Sequence, residues 1–215
     1  SIKDPDLRSF NKSKNILKNK KIAVTDNILK SEVKKFYRSY IKSKFNNLPF
    51  VTCKIALSKD YFTINKKKRW ITNEFSRGRV HLLRFTHDCI ITSSKTIIAD
   101  NPLLNCRIPG LEKSNLPIMI LDKNLSIPMN SNIVKNAKKN KTFIFYNREN
   151  KKRIKKLKDF KIKLCKISLI NNKLNLTDIL TNIRKMGFYR AFLESGPELS
   201  SNFLKDNLVD DLIVF

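Results

Sequence analysis

Glycine is the first scarcity, with four in 215 residues. Neither GxGxxG nor GxxxxGK[ST] occurs, so the Gly-rich phosphate grips of the dinucleotide and P-loop folds are excluded. Histidine is rarer still, with two. There is no HExxH, no GxSxG and no HxE followed by PCxxC, which removes zinc-protease, esterase and zinc-deaminase chemistry from these residues. The four cysteines, Cys53, Cys89, Cys106 and Cys165, form no CxxC pair and stand in no zinc-like spacing to the histidines, so no metal site is expected. They read as reduced thiols of a cytoplasmic protein, with Cys53 and Cys165 partly buried on strands. Long hydrophobic runs are missing too: nothing approaches the roughly 18 apolar residues of a membrane span. The opening SIKDPDLRSFNKSK has no apolar segment of a secretory signal.

Acidic residues are few. Lys+Arg number 45 and Asp+Glu 18, for a formal charge of +27 and a pI of about 10.1. Such a balance suggests a polyanion partner. Yet about three lysines stand for each arginine, and Asn and Ile are also abundant. These three residues share A/T-rich codons, so base composition alone accounts for the bias. The lysines are spread over every segment, and no aromatic sheet motif of an RNA reader is present. No specific nucleic-acid partner is expected, although a basic RNA-associated protein remains the rival from another class.

Apolar residues make up 41%, enough for a core. Residues 1–47 read as an extension. DPDLRS is a turn at Pro5, NKSKNILKNK a short helix and KIAVTD (21–26) a strand. Asp26 or Asn27 then caps a helix over 28–44, with Ile28, Val33, Phe36, Tyr37, Tyr40 and Ile41 on one face. From Pro49 onward strands alternate with helices. Strands are predicted at 50–57, 89–93, 118–122, 142–147, 163–167, 189–195 and 211–215. Helices are predicted at 74–86, 130–138, 150–158, 176–186 and 197–206. Gly187 sits at a helix C′ position and Pro197 at a helix N1 position. Several strands are unbroken apolar runs, which suits strands covered on both faces. The pattern is α/β with a mostly parallel central sheet. The lysine runs at 66–69, 138–141 and 151–158 read as loops and solvated helix faces.

Four places carry candidate chemistry. Lys54 interrupts the apolar FVTCKIALS, and is either a strand-edge lysine in solvent or a cation holding an anion or a substrate oxygen. Trp70, the only tryptophan, is either core or platform. SSKTIIADNPLLNCR (93–107) places Thr96, Asp100 and Arg107 after a strand, at the edge where open α/β sheets bind ligands, unless it is a plain polar loop with an Asn-Pro turn. LESGPELSS (193–201) puts Glu194 at a strand end and Gly196-Pro197 at a helix start. That start is an anion site or an ordinary strand–helix turn. Strand 189–195 is expected to be central and buried.

Together, KxAxSxD (54–60), WIT with Arg77 and LLR (82–84), DCIITSSKTIIADNPLLNCR (88–107), PIMILD (117–122) and LESGPELSSNFLKDNLVDDLIVF (193–215) resemble one family. It is the reductase domain of the bifunctional riboflavin-biosynthesis deaminase/reductase. The resemblance runs from about Pro49 to Phe215. Residues 1–47 resemble the tail of the preceding deaminase domain plus linker, and 48–215 the reductase domain without its closing strands. The expected chain is therefore truncated at both ends.

The resemblance implies a dihydrofolate-reductase-like fold. It also implies NADPH-dependent reduction of 5-amino-6-(5-phosphoribosylamino)uracil to the ribitylamino product. Zinc would belong only to the absent deaminase half, and the enzyme would be a cytoplasmic homodimer. Carried over by motif, Lys54, Asp100 and Glu194 are catalytic. Lys68, Arg84, Leu104, Arg107 and Glu194 bind substrate, Arg107 through its phosphate. Ala56, Trp70, Thr72, Thr96 and Asp100 line the nicotinamide side. Gly196, Pro197, Glu198, Leu199, Ser200, Ser201 and Asn202 form the helix start that takes the cofactor phosphates. Three departures stand out: Tyr61 replaces the glycine of SLDG, Lys68 replaces a substrate-contacting serine, and Ser195-Gly196 replaces a double glycine. A stand-alone pterin or pyrimidine reductase of the same fold is the nearer alternative.

Overall fold

Unbroken apolar runs become strands here because both faces of the sheet are covered. The computed structural model describes residues 2–6, 8, 12–60, 72–112 and 116–215. The expectations for Tyr61, Lys68 and Trp70 lie outside the described residues. In chain order the elements begin with α1 (Lys12–Asn19), α2 (Lys30–Phe36), α3 (Arg38–Phe45), β1 (Phe50–Ile55), α4 (Glu74–Phe85) and β2 (Cys89–Ser93). Then follow α5 (Ser94–Asp100), β3 (Ile118–Leu121), α6 (Asn132–Lys135), β4 (Thr142–Tyr146), α7 (Lys151–Asp159) and β5 (Lys163–Lys166). The chain closes with β6 (Leu169–Ile170), β7 (Lys173–Leu174), α8 (Leu176–Lys185), β8 (Arg190–Glu194), α9 (Pro197–Lys205) and β9 (Asp211–Val214).

Seven strands form one sheet in the order β5-β4-β3-β2-β8-β1-β9, and every pairing in it is parallel. β8 inserts between β2 and β1, so it is central, as its sequence suggests. The two-residue side-chain period divides the core in two. Val51, Cys53, Ile91, Met119, Phe145 and Leu193 pack against α8 and α9 through Ile179, Ile183 and Phe203. Ile90, Ile118, Ile120, Ile144 and Phe192 pack against α4 to α7 through Val80, Ile97, Val134 and Leu157. Each strand therefore spends alternate residues on opposite layers. Cys53 is fully buried rather than partly so, Cys89 and Cys106 are buried beside it in class, and all four thiols are free.

Some expectations fail for local reasons. Residues 21–26 are not a strand. Lys21 turns left-handed, and the N–H of Ile22 closes α1 by bonding to Leu17 O. The helix expected over 28–44 divides at Tyr37 into α2 and α3. Its supposed apolar face is only partly covered: Val33 and Ile41 are half-buried, none of α1 to α3 has a buried residue, and Phe36 is 80% exposed. The helix at 130–138 shrinks to α6, while Gly187 does stand past the end of α8 at φ +91°. The stretch after β2, read as a loop, is α5: Ser93 Oγ caps it by accepting from Thr96 N, and Asn101 ends it at φ +41° before Pro102. The β6–β7 hairpin was not foreseen, since two-residue strands have no period to read. Among the described residues, no helix is long and apolar enough to cross a membrane.

Candidate active site

β1, β2 and β8 end side by side, so the residues just past their C-terminal ends converge. There a cleft of about 1880 Å³ opens, lined by Lys54, Ala56, Thr72, Thr96, Asp100, Leu104, Arg107 and Glu194, and by Gly196 to Ser200 with Asn202. Ser201 is not on that wall. It is exposed on α9, because a helix turns successive residues through about 100° and only part of its circumference faces the cleft. Register makes Lys54 and Glu194 direct neighbours on adjacent parallel strands. Lys54 is half-buried within the cleft.

Arg84 comes from the last turn of α4 and reaches Glu194, 110 residues away. Nε donates to Oε2 and Nη2 to Oε1, both at 2.8 Å, while Nη1 donates to Asn105 O at 2.7 Å. This is a two-pronged ion pair with the arginine 9% exposed and the glutamate side chain 15% exposed. Burial pushes the Glu194 carboxyl up, but the charge and hydrogen bonds of Arg84, with the Lys54 charge behind them, leave it below its ordinary value. Glu194 is thus a carboxylate whose charge is already answered from within the protein.

The start of α9 differs. Gly196 is its N-cap residue and Pro197 its first residue, and no side chain caps the end. Gly196 N–H donates to Thr96 Oγ1 at 3.2 Å, which ties α5 to α9, and Ser93 Oγ lies 3.0 Å from the same hydroxyl. The backbone of Gly196 is at φ −68°, open to any residue, so the turn from β8 into α9 does not itself require glycine. A Cβ there would meet only Thr96 Oγ1, at 4.0 Å. Leu104, 5% exposed, does take a left-handed φ of +50° on the cleft wall, a conformation costly for leucine and found at binding sites.

Three groups escaped the sequence reading. His81 lines the cleft one turn before Arg84, Asn105 accepts from Arg84, and Arg84 and Glu194 pair with each other. The i to i+3 spacing of His81 and Arg84 was available as a signal. The pairing across 110 residues was not.

A parallel sheet covered on both faces, a helix start without a side-chain cap and a polar cleft at the strand ends define an α/β domain with its candidate ligand site at the C-terminal edge of the sheet. The family model described as the RibD C-terminal domain matches residues 49–215, and the chain belongs to that family. It is similar to the riboflavin biosynthesis protein RibD of Aquifex aeolicus, at 28% identity over 99% of this chain and 58% of the relative. RibD of Acinetobacter baumannii superposes with a TM-score of 0.78 at 26% identity, over 99% of this chain and 58% of that one. The riboflavin biosynthesis reductase Rib7 of Saccharomyces cerevisiae shares the fold, with a TM-score of 0.63 at 18% identity over 85% and 81% of the two chains. The fold is thus dihydrofolate-reductase-like. The chain spans a little under three fifths of the length of the RibD proteins it matches.

Proposed function

We propose that this chain is the pyrimidine reductase region of a riboflavin-biosynthesis enzyme, reducing 5-amino-6-(5-phosphoribosylamino)uracil to its ribitylamino product with NADPH. The observation that carries the reading is the pairing, in one cleft, of the uncapped α9 start with the Arg84–Glu194–Lys54 cluster.

The donors present fit the cofactor. Glu198 and Leu199 follow Pro197 in a first turn with no side-chain cap, and such backbone N–H groups favour phosphate oxygens. Gly196 to Ser200 with Asn202 would hold the phosphates, and Ala56, Trp70, Thr72, Thr96 and Asp100 the nicotinamide side. When bound, the cofactor supplies a hydride to the anomeric carbon of the ring-opened ribose. Lys54 and Asp100 polarise the carbonyl or imine that accepts it. Glu194, kept ionised by Arg84, holds the pyrimidine end and orients Arg84 toward the substrate. Arg107 offers its guanidinium fork to the substrate phosphate. Leu104 and Lys68 complete the substrate side.

On the same reading, residues 1–47 are the tail of an upstream zinc-dependent deaminase domain. The whole-chain match to RibD supports it, because the family model itself begins only at residue 49. The enzyme is then a cytoplasmic homodimer with no membrane or nucleic-acid partner. The test is loss of reduced-nicotinamide absorbance when the full-length protein meets the deaminated pyrimidine. Lys54→Ala is expected to cripple turnover. A near-normal kcat/KM in that variant would show Lys54 to be only a strand-edge lysine.

A further inference from the structure

His81 stands between Arg84 and Arg107, two of the arginines that line the cleft. Its Nδ1 lies 3.1 Å from Asn105 O and 3.4 Å from Arg84 Nη1. Its Nε2 lies 3.4 Å from Arg107 Nε, and the Arg107 backbone N is 3.2 Å from Nδ1. The Arg107 backbone N–H points at Nδ1 and Arg107 Nε–H at Nε2, against one acceptor, Asn105 O. A neutral ring therefore accepts from Arg107 at whichever nitrogen carries the lone pair: Nε2 from Nε–H when Nδ1–H donates to Asn105 O, or Nδ1 from the backbone N–H. The imidazolium accepts from neither, because both its ring nitrogens carry hydrogens. Arg107 is otherwise an exposed, flexible side chain. Held through Nε in the first of these tautomers, it keeps its Nη1–Nη2 edge for a two-pronged anion, with less rotamer freedom left to lose on binding.

We propose that His81 is the positioning residue of the phosphate subsite: its neutral ring fixes Arg107 beside the Arg84–Glu194 pair, and protonation of the ring releases Arg107 and weakens binding of a phosphomonoester. This rests on the reading of Arg107 as the ligand of the substrate phosphate. Burial first, then the charges of Arg84 and Arg107, hold the His81 ring below its ordinary 6.5, against the pull of Asn105 O and Glu194. The charged groups around it are Arg84 on its own helix, Arg107 on the loop after α5 and Glu194 on β8, with Lys54 beyond Glu194 on β1. The neutral form therefore prevails at neutral pH. Affinity is full above the His81 pKa and falls as pH drops through it.

His81→Ala is expected to raise KM for the phosphorylated pyrimidine about tenfold, the size of one lost hydrogen bond, while kcat moves less than about twofold. His81→Gln keeps an acceptor and restores KM. Ribose 5-phosphate binding, followed by calorimetry against pH, separates the ring from the ligand. Both proteins show the acid limb of the phosphate's own second ionisation near pH ~6, and the wild type alone shows the added limb of His81. Unchanged KM in His81→Ala, or identical limbs in wild type and His81→Gln, overturns the proposal. Nuclear magnetic resonance titration of His81 gives a measure that needs no turnover. Arg107→Ala should raise the ring's pKa, and an unmoved pKa would show that the contact does not exist. If the wild type fails to reduce the pyrimidine, the proposed reaction falls, while that titration still decides the contact.

Discussion

α4 and α9 pack on opposite faces of the sheet, and their cleft-side residues treat charge in opposite ways. Near the end of α4, Arg84 meets Glu194 and Asn105 O, so every strong donor it points inward has an internal partner. At the start of α9 nothing closes the helix. α4, α5, α7 and α8 are by contrast each closed by a side chain of their own chain segment, Asn73, Ser93, Asn150 and Asn175. An end that is completed internally contributes to the fold. An end left incomplete beside a cleft of this size has its donors available to a ligand. The difference teaches that one sheet edge can carry both a rigid electrostatic anchor and an open phosphate grip.

The largest expected effect comes from breaking the completed side. Arg84→Met leaves Glu194 buried without its cation, and such losses cost roughly 3–5 kcal/mol. Chemical denaturation should show that drop, and reductase activity should vanish with it. The double variant Arg84→Met/Glu194→Met removes both charges. It should regain most of the stability and none of the activity. If the single variant unfolds no more easily than wild type, the pair is a surface contact and the contrast between the two walls is lost.

The open side should respond in kinetics before stability. Gly196→Asp adds a capping carboxylate to α9 at a φ that any residue can adopt. Its gain in stability should be only a few tenths of a kcal/mol, as for other Gly-to-Asp caps. The same carboxylate occupies the first-turn N–H groups and repels phosphate. KM for NADPH should therefore rise by about tenfold or more, as loss of a charge-assisted contact does. Thermal melting and cofactor titration on the one variant decide it. An unchanged KM would mean that the α9 start does not hold the cofactor.

The parts of this design differ in how legible they were. The seven strands of the sheet were readable, four of them (50–55, 89–93, 118–121 and 142–146) as mostly apolar runs without strict alternation, and Gly187 and Pro197 punctuate α8 and α9. The motif residues of the cleft were readable in order, and most of them do converge. Their mutual satisfaction was not. Arg84 was expected to bind substrate, and only the position of β8 between β1 and β2 shows that Glu194 also meets it. α5 was hidden because the polar stretch after β2 can also be a loop with an Asn-Pro turn, until Ser93 Oγ is seen accepting from Thr96 N. In residues 12–47 the periodic signal misled: an amphipathic pattern specifies a face, not the surface that will cover it.

Acid should sharpen the same contrast over a narrower range. The Glu194 carboxyl is lowered in the folded protein from an ordinary 4.5. Its stabilisation is therefore complete above that value and is lost as pH falls through the folded value. Buried His87, held below 6.5 mainly by desolvation, adds a separate loss beginning at higher pH, since the unfolded chain binds that proton first. Denaturation midpoints measured from pH 7 downward should show both phases in wild type. In Glu194→Gln the higher phase, to which His81 also contributes, should remain and the lower one should shrink. A full acid response in Glu194→Gln would assign the lower phase to other carboxylates.

The smallest effect belongs to the rim, where α3 meets the sheet. Lys42 Nζ donates to Asp210 Oδ2, and the same oxygen accepts from Val51 N at 2.8 Å. Asp210 thus tethers the start of β1 whether or not the lysine is there. Lys42 adds a half-buried charge held by a single contact and a loose position 6.0 Å over the Phe50 ring. Removing it costs little, because Asp210 keeps the Val51 N–H and a side open to water. Lys42→Ala should lower stability by about 0–1 kcal/mol, and by less in high salt. Asp210→Ala strips a backbone donor of its acceptor and should cost more, about 1–3 kcal/mol. Paired denaturation curves at low and high salt measure both. Should Lys42→Ala cost as much as Arg84→Met, ion pairs at the rim and in the cleft would be equivalent, and the two-pronged bonding of Arg84 would not be what separates the anchor from the rim.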